Sequence, residues 1–156
     1  MFQPSRRLFL TLAAGALVAG CSPVRRHGAR PSASNLPEGS PEIRAMVDRY
    51  ADHYDVPRKL VHRVVQRESR YNPAARNGPY FGLMQILPQT ARTMGYAGPP
   101  EGLLDPEINL TYGVKYLRGA WLVADGSHDR AVMWYSKGYY YEAKRRGLLR
   151  ETGLRA

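Results

Sequence analysis

The feature that most limits the fold is a helix-start signature that occurs twice. Ser40-Pro41-Glu42 and Asp105-Pro106-Glu107 each place a capping oxygen, a proline and an acid in succession. The oxygen takes up an orphan amide, proline suits the first turn, and the acid faces the positive end of the helix dipole. Helical spacing follows both. Ile43, Met46, Val47, Tyr50, Ala51 and Tyr54 share one face, as do Leu110, Val114, Leu117 and Trp121 on a longer helix ending near Asp125-Gly126. No segment alternates well enough for a large sheet. The sequence predicts a mainly α fold, with at most a short β-hairpin.

Between these helices the punctuation is clear. Asp55-Val56-Pro57 ends the first helix and opens a second, striped by Leu60, Val61, Val64 and Val65. Glu68 is the next position on that stripe, an acid ending an apolar face. Tyr71 to Gln85 contains Asn72-Pro73, Asn77-Gly78-Pro79 and Gly82, which read as turns and the hairpin. Pro88 opens a short helix ending near Gly95, and Gly98-Pro99-Pro100 reads as loop. Ser127 caps a helix through Ala131, Val132 and Tyr135 that Gly138 interrupts. Tyr139 to Arg146 reads as a last helix, with Lys144, Arg145 and Arg146 suiting its C-terminus. The folded domain is placed at 41–147, with a basic tail at 148–156.

The net charge of +10 on 156 residues invites a nucleic-acid reading. Its distribution argues otherwise. The first 35 residues hold five arginines and no acid, so half of the excess lies before the predicted domain. Charge alone gives nonspecific affinity, and the chain shows no nucleic-acid motif. The single cysteine, Cys21, excludes an intrachain disulfide framework and a multi-cysteine metal site.

Arg6-Arg7 precede an apolar run from Leu8 to Gly20, too short for the roughly 20 residues that span a bilayer. Basic, apolar and small residues in that order make an export signal over 1–20. Ser5-Arg6-Arg7-Leu8-Phe9-Leu10 resembles the twin-arginine export motif, and Val18-Ala19-Gly20-Cys21 resembles a bacterial lipobox. The resemblance implies cleavage before Cys21 and lipidation of its thiol and new amino terminus, and several acyl chains anchor where one does not. An ordinary cleaved signal with an incidental cysteine is the alternative. Residues 21–40, rich in Pro, Ser and Arg, read as a flexible tether. By resemblance to sorting rules of some diderm bacteria, Ser22 favours the outer membrane, facing the periplasm.

Glu68-Ser69, Gly82-Leu83-Met84-Gln85, Asn109-Leu110 with Gly113, Tyr116 and Leu117, and Tyr135 with Gly138 stand in a recognisable order. Together they resemble the motifs of the soluble-type (SLT) lytic transglycosylases, from about Ile43 to about Gly138. The resemblance implies a goose-type-lysozyme-like α+β fold with the hairpin beside an active-site cleft. It implies action on the glycan strands of peptidoglycan, with no metal or organic cofactor; a monomer is the default.

A carboxyl on an apolar helix face is partly desolvated, which raises its pKa and keeps it protonated for donation to a glycosidic oxygen. Pairing with Arg67 or Arg70 is the alternative role for Glu68. Glycoside hydrolysis usually needs two carboxylates, yet the next acids after Glu68 are Glu101, Asp105 and Glu107, the last two explained by a helix start. The family mechanism, by resemblance, replaces the partner with the substrate's own N-acetyl group or 6-hydroxyl. Glu68 then acts first as acid and next as base.

By the same resemblance Ser69 bonds near the reacting sugar, or else caps its helix. Gln85 presents an amide to N-acetyl or hydroxyl groups, and Tyr135 reaches Glu68 or a sugar, or else sits in the core. Gly82 can take a positive φ and let sugar approach the backbone. Met84 is counted with the substrate-binding set, although it and Leu83 also suit the core or cleft wall. Asn109 ties a helix start to a loop. Tyr71, Tyr80, Phe81, Trp134 and Tyr139 are candidate stacking rings. The chain departs from the family at Trp134-Tyr135-Ser136-Lys137-Gly138, where Ala-Tyr-Asn-Ala-Gly is usual, and in the Tyr139-Tyr140-Tyr141 run that follows. A muramidase using water, and a weakly active peptidoglycan-binding lipoprotein, are the competing readings.

Overall fold

Pro41 and Pro106 both open helices, as their flanking residues require. The computed structural model describes residues 38–154. Helix α1 (Pro41–His53) is capped by the Ser40 hydroxyl, which accepts from the Ile43 amide at 3.3 Å. Helix α4 (Pro106–Val123) is capped by Asp105, which accepts from the amides of Glu107 and Ile108 at 2.9 and 3.1 Å. Between them lie α2 (Arg58–Ser69), a two-stranded antiparallel hairpin of β1 (Arg76–Asn77) and β2 (Tyr80–Phe81), and α3 (Pro88–Thr93). Two helices follow α4: α5 (His128–Lys137), capped by Ser127, and α6 (Tyr140–Arg146). The sequence missed one element. Pro100–Leu104, where only Gly98-Pro99-Pro100 was expected as loop and nothing was assigned beyond it, forms a 3₁₀ turn that buries Leu103.

The long helix α4 is the centre of the domain and packs against α1, α3, α5 and the 3₁₀ turn. Its Leu110, Val114 and Leu117 meet Ile43 and Val47 of α1, and Leu60, Val61 and Val64 of α2, in one fully buried cluster. Each such side chain contributes on the order of 1.5–3 kcal/mol by leaving water. A smaller cluster of Phe81, Ile86, Ala91, Tyr96 and Leu103 roots the hairpin and α3. The domain is therefore mainly helical with one short hairpin, as expected.

The stretch after α6, expected as a basic tail, packs back onto the core as far as it is described. Leu148, Leu149 and Leu154 lie against the main cluster and Thr152 is buried. The export signal, Cys21 and the tether up to residue 37 lie outside the described residues. Among the described residues no helix is long and apolar enough to cross a membrane.

Candidate active site

Helix α2 is held from two sides through His62. His62 Nε2 meets the Asp48 carboxylate of α1 at 2.9 Å, and Nδ1 meets the Tyr71 hydroxyl just past the helix at 2.7 Å. Arg70 and Tyr71 then take left-handed backbone conformations and turn the chain away. Leu60 and Val64 are fully buried, whereas Glu68, one turn further along the same stripe, emerges with 22% of its side chain exposed. It opens into a cleft of about 370 Å³ that Tyr80, Gln85, Tyr135 and Ser136 also line. Glu68 is the sole carboxylate among the residues lining this cleft. A larger hollow of about 440 Å³ near Tyr50, Tyr54 and Thr111 contains none of the predicted site residues.

The pairing of Glu68 with its neighbour Arg67 is formed. Arg67 Nε donates to Glu68 Oε1 at 3.0 Å, and Arg67 Nη2 bonds the same oxygen. That Nη2 also donates to Ser136 Oγ at 2.5 Å, so one guanidinium joins α2 to α5 across the cleft. Ser136 stands where the resembling family usually has asparagine, and its hydroxyl in turn donates to the Val132 carbonyl at 3.1 Å.

The remaining predicted residues build the wall facing Glu68. Ser69 Oγ donates to the Leu83 carbonyl at 2.7 Å, fastening the end of α2 to the Gly82–Gln85 loop. Asn109, fully buried on α4, accepts from the Met84 amide at 2.8 Å and donates to the Phe81 and Leu103 carbonyls, both at 2.8 Å. Its side chain thus pairs with three backbone groups, of which the Phe81 carbonyl also accepts from the Ile86 amide at 3.1 Å. Gly82 has φ +69°, and an added Cβ would overlap Asn109 Nδ2 and lie 2.5 Å from the Leu103 carbonyl oxygen. The close approach that requires this glycine is therefore made by Asn109 and Leu103.

Three expectations about contacts change. Gln85 was expected to offer its amide to the substrate. Its Nε2 donates instead to the carbonyls of Ala75 at 3.1 Å and Gly82 at 2.9 Å, which leaves Oε1 to accept from a ligand. Tyr135 was expected to reach Glu68 or a sugar, but its hydroxyl donates to the Met84 carbonyl at 2.9 Å. Burial above all, and then the nearby Glu68 charge, push this phenol well above its ordinary range, so it stays a neutral donor. Met84 presents no side chain to the cleft; it is fully buried and contributes its backbone. Among the candidate stacking rings, Tyr71, Phe81 and Tyr139 are core side chains, while Tyr80 is 42% exposed on the cleft.

Sequence comparison shows the family. The family model of the transglycosylase SLT domain matches residues 45–148. The chain is 32% identical over 98 residues to the peptidoglycan transglycosylase gp16 of Escherichia phage T7, covering 60% of this chain and 7% of that protein. It is 35% identical over 78 residues to the soluble lytic murein transglycosylase of Escherichia coli K12, covering 45% and 12%. It is 36% identical over 80 residues to the membrane-bound lytic murein transglycosylase C of Edwardsiella ictaluri, covering 46% and 22%. The match thus spans a small part of each of these longer relatives. The region that matches the family is also the region that folds around the Glu68 cleft, and the chain belongs to the transglycosylase SLT domain family.

Proposed function

We propose that this protein is a peptidoglycan lytic transglycosylase, a carbon–oxygen lyase that cleaves the β-1,4 bond between N-acetylmuramic acid and N-acetylglucosamine. The observation that carries this is the single carboxylate lining the cleft. Hydrolysis by paired carboxylates would need a second acid across the sugar. With one, the substrate supplies the other group. Arg67 engages only Oε1 of Glu68, which leaves Oε2 as the oxygen that exchanges a proton with the substrate. Glu68 gives that proton to the glycosidic oxygen as the bond to the muramyl C1 breaks. The N-acetyl oxygen stabilises the cationic carbon. The muramyl 6-hydroxyl then attacks C1, and Glu68 takes its proton back. The product is a 1,6-anhydromuramyl end, and no water enters the balance.

In this reading Ser69, Asn109 and Tyr135 position the loop carrying Gln85, whose Oε1 accepts from a sugar hydroxyl or amide. Export and lipidation at Cys21 would hold the domain in the envelope, facing the periplasm and with the outer membrane favoured. The name of the membrane-bound relative is compatible with that placement.

The test incubates wall sacculi with the full protein and with Glu68→Gln, followed by mass spectrometry of the fragments. Anhydro ends made only by the wild type are expected. Reducing ends would make it a muramidase, and binding without fragments would leave a peptidoglycan-binding lipoprotein. For the anchor, Cys21→Ser should release the protein from membranes; unchanged retention would overturn it.

A further inference from the structure

Large apolar side chains seldom remain exposed without a reason when they cluster. Among the described residues three are exposed: Tyr80 at 42%, Tyr140 at 47% and Tyr141 at 83%. They are not scattered. Tyr80 lines the Glu68 cleft. Tyr140 and Tyr141 line a separate groove of about 410 Å³ together with Trp134, at the junction of α5 and α6. A smaller hollow of about 200 Å³ joins the two. Tyr80, Gln85, Tyr135 and Ser136 line both the cleft and this hollow, and Lys137 and Gly138 line both the hollow and the outer groove. Shared walls thus run from the Glu68 cleft, by way of this hollow, to the groove of the tyrosine pair.

The chemistry of the outer groove is consistent along its length. The rings of Tyr140 and Tyr141 meet edge to face, 5.4 Å apart at 82°, so they present two perpendicular faces. Its charged residues are Lys137, Arg145 and Glu142, and Glu142 is already bonded to Arg145 and Arg146. The groove is thus aromatic with a net positive rim. Flat faces suit the C–H face of a pyranose, and a positive rim suits a carboxylate. A long polysaccharide bearing acidic peptides offers both at every repeat.

We infer that Trp134, Tyr140 and Tyr141 form a glycan-strand platform outside the catalytic cleft, which binds saccharides distant from the bond that is cut. This rests on the transglycosylase reading for the polymer concerned. The platform makes the protein favour strands long enough to occupy the cleft and the platform at once over fragments that fill the cleft alone.

The experiment compares the wild type, Tyr140→Ala/Tyr141→Ala and Tyr141→Trp as full chains. It measures kcat/KM on long glycan strands and on a muramyl tetrasaccharide. The double alanine variant should lower the ratio of the two about tenfold, which corresponds to about 1.4 kcal/mol, acting through KM. Tyr141→Trp, which keeps an aromatic ring at this position, should hold the ratio near that of the wild type. A ratio unchanged in the double variant would overturn the platform. Strand binding is measured separately in a Glu68→Gln background. There the alanine pair should weaken retention by a similar factor even if the wild type proves to release no fragments, so failure of the activity is distinguished from failure of the platform. Loss of binding to phosphatidylglycerol vesicles with strand binding intact would assign the rings to a membrane surface and overturn the proposal.

Discussion

The Tyr135 hydroxyl donates to the Met84 carbonyl at 2.9 Å, and both groups are buried. This bond ties α5 to the loop that precedes Gln85, across the same cleft that Glu68 enters. Tyr135→Phe keeps the ring but leaves a buried carbonyl without its donor. The cost should be about 1–3 kcal/mol of unfolding free energy. Urea denaturation checks this, and a change within experimental scatter would mean that the bond does not hold the wall. Because Gln85 follows Met84 directly, turnover should also fall. Tyr135→Phe should therefore lose both stability and activity, whereas Glu68→Gln should lose activity alone.

Asn109 makes the tighter knot. It accepts from the Met84 amide through Oδ1 and donates to Phe81 and Leu103 through Nδ2. Asn109→Asp conserves size but turns the donor into an acceptor facing two carbonyl oxygens in a fully buried position. The variant should be destabilised by about 3 kcal/mol or more at neutral pH. Acidification should recover part of the loss, because a protonated carboxyl can donate to one carbonyl. Thermal melts at pH 7 and pH 5 decide the matter; equal melting points for variant and wild type at pH 7 would overturn it.

These two knots also mark what sequence can reveal. The helices were legible because caps and periodicity are local: Ser40, Asp105 and Ser127 all accept the amides that their positions predict. Glu68 was legible because an acid at the end of an apolar stripe is anomalous. The contacts of Gln85 and Tyr135 were not, because their partners are backbone carbonyls of Ala75, Gly82 and Met84, and a backbone group carries no sequence signal. Arg67 shows the same limit from another side. Its closeness to Glu68 is visible in the sequence, but its bond to Ser136 links residues 67 and 136 and depends on how α2 meets α5. The 3₁₀ turn was missed because Pro99-Pro100 reads as loop, while burial of Leu103 and the Asn109 bond select the turn.

Gly113 lies inside α4, where glycine normally costs a helix about 1 kcal/mol relative to alanine. Packing should reverse that sign here. An added Cβ would come within 2.7 Å of Met84 Sδ and 2.9 Å of Met84 Cβ. The sulfur end of the side chain could swing aside, but the Cβ is fixed by a backbone that Asn109 and Tyr135 both hold. Gly113→Ala should therefore destabilise the domain by about 1–3 kcal/mol. Combining it with Met84→Ala removes the contacts at Sδ and Cγ but keeps the one at Cβ, so the pair should cost somewhat less than the sum of the two single changes. Strict additivity in a double-mutant cycle would show that the two sites do not meet.

Helix α6 carries the tyrosine platform and is laced by charge, with Arg146 alone of these pairs reaching outside the helix, to Asp125. The Glu142 carboxylate accepts from Arg145 at 2.6 and 3.0 Å and from Arg146 Nε at 2.6 Å, and Arg146 also bonds Asp125 at 2.7 and 3.0 Å. Hydrogen bonds from the two guanidinium groups hold Glu142 down to about 2. The folded value lies below the unfolded one of roughly 4.3, so the folded state favours the ionised carboxylate. The stabilisation is present above the unfolded value and is lost as pH falls through the folded one. Glu142→Gln should therefore be less stable than the wild type at pH 6, with the gap closing progressively as pH falls from about 5 to about 2. High salt should narrow the gap at pH 6, because the arginines are solvent-facing. If the groove formed with Tyr140 and Tyr141 depends on α6 staying helical, wild-type preference for long strands should fade over the same acid range, whereas in Glu142→Gln it should already be reduced at pH 6. Melting curves and strand-length ratios measured on the same samples test both halves, and a gap that stays constant from pH 6 to pH 2 would remove Glu142 from the account.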